Sequence, residues 1–172
     1  YAVQFNEAGR QRDAANWYRI NPHRLHLGIV GLELPEGTGF EAFTEVNQTL
    51  DLMNGQINSS YKLNGKPVSV QTVCHPERDI MSSMIAATEP MAIKLCYAYP
   101  TGAHSDDASN WNANDKHSTT LVASTDNSAT LKRVIDESVY YVVLQWEGNA
   151  TLTEKEANYF VLSATRDTLS FS

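Results

Sequence analysis

Thr49-Leu-Asp-Leu-Met-Asn-Gly-Gln-Ile-Asn-Ser-Ser-Tyr-Lys-Leu-Asn-Gly-Lys-Pro-Val-Ser-Val-Gln-Thr-Val73 carries two Asn-Gly pairs, Asn54-Gly55 and Asn64-Gly65, between alternating runs. Alternation at period two places every second side chain on one face, as a half-buried strand requires. Asn and Gly both tolerate the positive φ of a type I′ turn, which makes the pair a strong hairpin signal. The expectation is three adjacent antiparallel strands over 47–53, 56–63 and 66–75, joined by connections of about two residues each.

Working outward, residues 25–34 are apolar and β-branched enough for another strand. His75-Pro-Glu-Arg-Asp79 reads as a turn, because Pro76 pushes His75 towards an extended backbone. His75 is read as a turn residue bonded to the peptide that follows, and Arg78-Asp79 as a pair locking the same turn. Residues 80–87, 91–98, 119–122, 129–135, 139–146 and 158–162 resume strand patterning, and Leu169-Ser-Phe-Ser172 begins another run. The helical candidates are Glu7 to Trp17 and Phe40 to Val46, with Thr153 to Glu156 as a short turn. About ten strands at roughly 8–12-residue spacing predict an all-β fold, a large antiparallel β-sandwich with little helix.

Length and charge narrow the function classes. At 172 residues the chain is read as one domain, residues 1–172. A net charge of −7 opposes the clustered Lys and Arg that a nucleic-acid surface needs. No apolar run approaches the ~18–20 residues of a membrane helix. The two cysteines, Cys74 and Cys96, are too few for a disulfide framework; among apolar neighbours each reads as a buried free thiol, with a disulfide between them as the alternative. Beginning at Tyr1 and stopping within a strand-like run, the sequence is taken as a piece of something longer.

Catalytic and metal signatures are sparse. Gly-x-Ser-x-Gly, phosphate-loop, Cys-x-x-Cys and His-Glu-x-x-His patterns are all missing. His23 and His26, three apart on a strand, point to opposite faces and do not form a metal pair. Asp106, Asp107 and Asp115 do not follow a calcium-loop spacing. No catalytic residue, metal ligand or cofactor is assigned.

The stretch from Tyr99 to His117 breaks the strand pattern and reads as a long loop dense in aromatic and polar residues. Loops beyond ~12–15 residues are commonly functional. Aromatic faces suit the apolar C–H faces of a sugar, while carboxylates and amides suit its hydroxyls. The candidate carbohydrate-binding residues are therefore Trp111 as a stacking platform, with Tyr99, His104, Asp106 and Asp107. The competing reading has Trp111 merely pin the loop to the sandwich.

Asn21-Pro-His-Arg-Leu-His-Leu-Gly-Ile-Val-Gly-Leu-Glu-Leu34 continues through Asn47-Gln-Thr-Leu-Asp-Leu52, Tyr61-Lys-Leu-Asn-Gly-Lys-Pro-Val68 and Cys74-His-Pro-Glu-Arg-Asp79. Together these resemble the N-terminal β-sandwich of six-hairpin glycoside hydrolases, of the family 65 kind found in gut Bacteroidetes. The resemblance implies a galactose-mutarotase-like supersandwich preceding an (α/α)6 barrel. That barrel would carry the catalytic acid and base and would be this domain's partner, with an oligosaccharide or glycan as substrate. It further implies export, to the periplasm or beyond. Alternatives are a stand-alone carbohydrate-binding module or a mutarotase-like enzyme on the same fold. Against the last, the chain lacks the Asn-His-x-Tyr-Phe-Asn stretch of mutarotases.

Overall fold

A computed structural model of the chain describes residues 26–101 and 109–172, together with Arg12. His23, His104, Asp106 and Asp107 lie outside the described residues, as does the Glu7 to Trp17 candidate except for Arg12, which is helical and exposed.

The strands, in chain order, are β1 (Ile29–Leu32), β2 (Phe43–Asp51), β3 (Gln56–Leu63), β4 (Lys66–Cys74), β5 (Met81–Ala87), β6 (Ala92–Cys96) and β7 (Tyr99–Pro100). They continue as β8 (Ser109–Asn110), β9 (His117–Ser124), β10 (Ser128–Ile135), β11 (Ser138–Glu147), β12 (Ala150–Glu156), β13 (Tyr159–Ala164) and β14 (Thr168–Phe171). Two antiparallel sheets dominate: an eight-stranded one ordered β2-β3-β4-β5-β14-β11-β10-β9 and a four-stranded one ordered β1-β6-β13-β12. The chain is an all-β antiparallel sandwich.

The core lies where the small sheet covers the middle of the large one. Ile93, Leu95, Phe160 and Leu162 from β6 and β13 pack against Ile85, Leu131, Leu144, Trp146, Leu169 and Phe171 of the larger sheet. Burying a side chain of this size contributes ~1.5–3 kcal/mol, so this layer is the main source of stability. The rule of alternation is plainest in β10, where Ala129, Leu131, Arg133 and Ile135 are buried and their neighbours are not. Beyond the cover of the small sheet, β2 is exposed at every residue but Phe43.

The two Asn-Gly turns differ. Leu63 pairs with Lys66, so Asn64-Gly65 is a two-residue connection, with φ of 50° and 78° as a type I′ turn requires. At Asn54-Gly55 the strands separate earlier: Asp51 pairs with Gln56, leaving residues 52–55 as a four-residue loop. The Asp51 carboxylate is the reason. Its Oδ1 accepts from the N–H groups of Met53 and Asn54, and its Oδ2 accepts from Asn54 Nδ2 at 2.6 Å.

Other expectations need correction. Phe40 to Val46 holds only a single 3-10 turn, Phe40–Ala42, before β2 begins. Glu45 and Val46 then bulge opposite Tyr61, with Glu45 at a φ of 54°. Thr153 to Glu156 is strand, because β12 is an edge with few buried positions and needs no sustained apolar alternation. Cys74 is exposed, since cover over the inward face of β4 fades from Val68 to its end. Cys96 is buried, and both thiols are free. In the 75–79 turn, Glu77 N–H donates to His75 Nδ1 at 3.1 Å, as expected of a turn histidine. Arg78 and Asp79 form no ion pair among the described residues, and the His75 N–H to Ile80 O bond closes the turn instead.

Candidate functional site

The described ends of the 99–117 segment are structured, contrary to the expectation of one long loop. Tyr99–Pro100 and Ser109–Asn110 pair as a short antiparallel ladder, β7 with β8. Asn110 Oδ1 accepts from Asn112 N–H at 2.9 Å, turning the chain at Trp111. A second turn is closed by Lys116 N–H to Ala113 O at 3.0 Å. Ala113 and His117 are buried and anchor this stretch, while Trp111 stays 43% exposed. Its indole meets the His26 ring edge-on, with centroids 5.4 Å apart at 84°, which fixes the plane of the exposed face.

Tyr99 pairs with Asn110, at the same end of the ladder as Trp111. Its hydroxyl donates to both oxygens of Asp136, at 3.1 and 3.2 Å, and the bond to that carboxylate raises the phenol pKa. Lys116 Nζ lies 5.5 Å from the Tyr99 ring centroid. Asp136 occupies the two-residue turn between β10 and β11, at a φ of 50°. Trp111 and Tyr99, two of the five candidates, thus share one end of the large sheet.

Beneath this surface lies a buried polar network around Arg133, whose side chain is fully buried. Arg133 Nη1 donates to Thr119 Oγ1 at 2.7 Å and to Asn158 Oδ1 at 3.3 Å, and stands 2.8 Å from His117 Nδ1. Its Nη2 reaches Ala98 O at 3.5 Å, and its Nε donates to Tyr140 Oη at 3.3 Å. The guanidinium also lies 4.7 Å from the Tyr97 ring centroid. A guanidinium can only donate, so His117 Nδ1 must accept and the imidazole is neutral. Burial, and then the Arg133 charge, push the His117 pKa down against the opposing pull of Asp115.

Asn158 joins this network to the loop. It stands at a φ of 63° in the β12–β13 turn, and its Nδ2 donates to Asn114 Oδ1 at 3.1 Å. Trp111 is thereby carried on a turn clamped at Ala113, Asn114 and His117. Arg133, Thr119, Asn158 and Asp136 were not among the candidates from sequence. Arg133 had one legible signal, its parity with Ala129, Leu131 and Ile135 on an alternating strand.

The arrangement offers an exposed aromatic face beside amide, hydroxyl, carboxylate and ammonium groups on a rigid base. That suits binding of a hydroxylated ligand; the His117 imidazole faces a guanidinium and is not poised as a general base. No protein-family model matches the chain, and no curated protein matches it in sequence. Among the described residues no helix is long and apolar enough to cross a membrane.

Proposed function

We propose that the chain is a non-catalytic, carbohydrate-contacting β-sandwich of an exported glycoside hydrolase, in which Trp111 stacks on a sugar ring. The observation that carries the reading is the half-exposed indole, held edge-on by His26 on an Asn-rich turn while its neighbours do the anchoring. A tryptophan needed only to pin the loop would be buried. Tyr99, Asp136 and Lys116 supply hydrogen-bonding groups at the same end. The resemblance to six-hairpin enzymes supports an (α/α)6 barrel as the domain's partner and the periplasm or exterior as its compartment.

The exposed apolar side chains of the β2 edge (Val46, Leu50, Leu52 and Met53) support contact with a further domain. They stand at the opposite edge of the large sheet from β9, which follows the Trp111 turn. This separation favours a second reading, a carbohydrate-binding module whose sugar site does not depend on the neighbouring domain. Affinity electrophoresis in gels containing plant or bacterial polysaccharides tests the shared claim. The wild-type chain should be retarded by at least one glycan and Trp111→Ala should run free. Retardation that survives Trp111→Ala, or none with any glycan, contradicts it.

A further inference from the structure

Asn54-Gly55 and Asn64-Gly65 are the same dipeptide under different constraint. Both pairs are exposed, and a Cβ on either glycine would meet nothing within 4 Å, so neither access nor space separates them. The backbone does. Asn64 is left-handed at a φ of 50°, its N–H donates to Ala42 O at 2.8 Å, and Leu63 and Lys66 pair directly across the turn. Asn54 is not left-handed, and residues 52–55 stand outside the ladder, which ends at Asp51 and Gln56. The bonds that shape this wider loop come from the Asp51 carboxylate, itself exposed to water.

An asparagine followed by glycine carries its own nucleophile. If the chain rotates so that the glycine nitrogen meets the asparagine Cγ, a five-membered ring can close, and a residue without a Cβ leaves that approach unhindered. At Asn64 the rotation must first open the paired hairpin. At Asn54 it disturbs only a loop shaped by solvent-exposed side-chain bonds, each of small net worth in water.

We propose that Asn54 is a self-modification site of the folded protein, converted to aspartate or its β-linked isomer, while the β3–β4 hairpin protects Asn64. The Gly55 nitrogen forms a bond to Asn54 Cγ, the Cγ–Nδ2 bond breaks, and ammonia leaves with the proton that the Gly55 nitrogen gives up. Water then opens the cyclic imide at either carbonyl, leaving a carboxylate at position 54. The conversion undoes the turn that housed it. Asn54 Nδ2 donates to Asp51 Oδ2 at 2.6 Å, whereas a carboxylate in its place cannot donate and repels Asp51. The Asp51 carboxyl, held below its ordinary value first by the Asn54 side chain, should then titrate higher. The new charge also falls beside Leu52 and Met53, the most exposed apolar side chains of the β2 tip. The inference is independent of the carbohydrate reading.

The test incubates the full chain at mildly alkaline pH, folded and in parallel unfolded in urea, until the unfolded sample has converted at both sites. Proteolytic peptides are then followed by mass spectrometry for the change from amide to acid. In the folded chain the Asn54 peptide should convert at least about tenfold faster than the Asn64 peptide, the ratio given by an opening cost of ~1.4 kcal/mol at the held turn. In urea the two rates should converge, and the Asn54 product should split into two species of equal mass. Asn54→Asp, which reproduces one product, should raise the Asp51 pKa in an NMR titration and speed hydrogen exchange at the Met53 amide. Equal rates at the two sites in the folded chain, a faster rate at Asn64, or no conversion of folded Asn54 while the unfolded chain converts would each overturn the proposal. An Asp51 titration unmoved by Asn54→Asp would overturn its consequence for the turn.

Discussion

Arg133 is a cation buried without a carboxylate in bonding distance among the described residues; neutral acceptors and the Tyr97 and Tyr140 rings take its place. Arg133→Ala should therefore cost ~3–5 kcal/mol in urea denaturation, from the cavity and the stranded acceptors together. Arg133→Lys should also destabilise, because a point charge cannot reproduce the fork that spans Thr119, Asn158 and Tyr140. His117 adds a pH dependence. Its folded pKa lies below the ordinary value of 6.5, so the unfolded chain binds the proton more readily. Its stabilising contribution is complete above that value and is lost as pH falls towards the lower folded pKa. The melting temperature should drop as pH falls below the ordinary histidine value of about 6.5, and His117→Gln should flatten that slope. Little of this network was legible in the sequence. Inward parity marked Arg133, but Tyr99 and Asp136 meet across 37 positions, which no local pattern reports.

Among the elements, the β3–β4 hairpin shows what local signals can decide. Asn64 and Gly65 both adopt the left-handed region, and a Cβ on Gly65 would meet nothing within 4 Å. Gly65→Val should thus cost ~1–2 kcal/mol or more through backbone strain alone, read as a lower denaturation midpoint at unchanged slope. An effect no larger than that of ordinary surface changes would argue against the type I′ turn. The neighbouring Asn54-Gly55 carried the same dipeptide, yet Asp51 captured the turn with its carboxylate and widened it. Side-chain competition for backbone N–H groups is the physical reason that one signal held and the other did not. The edge strands β12 and β2 were harder to see because exposed edges do not have to alternate. Trp111 and Tyr99 could be nominated from composition, but the ladder and buried clamp that position them depend on pairing across the fold.

At the scale of the whole molecule, the sandwich provides a rigid frame with an aromatic turn at one edge of the large sheet and exposed apolar side chains at the other. The chain alone should release no sugar from aryl glycosides or oligosaccharides; turnover abolished by a single Asp or Glu substitution would make the domain itself the enzyme. The proposed function stands or falls on Trp111 as the sugar platform. The most direct test follows the indole N–H signals of Trp111 and the core residue Trp146 by NMR during titration with a retained oligosaccharide. The Trp111 signal should move and saturate while Trp146 stays still, and Trp111→Ala should abolish binding with the melting temperature nearly unchanged. A stationary Trp111 signal under saturating sugar, or a melting temperature that collapses with Trp111→Ala, would contradict it.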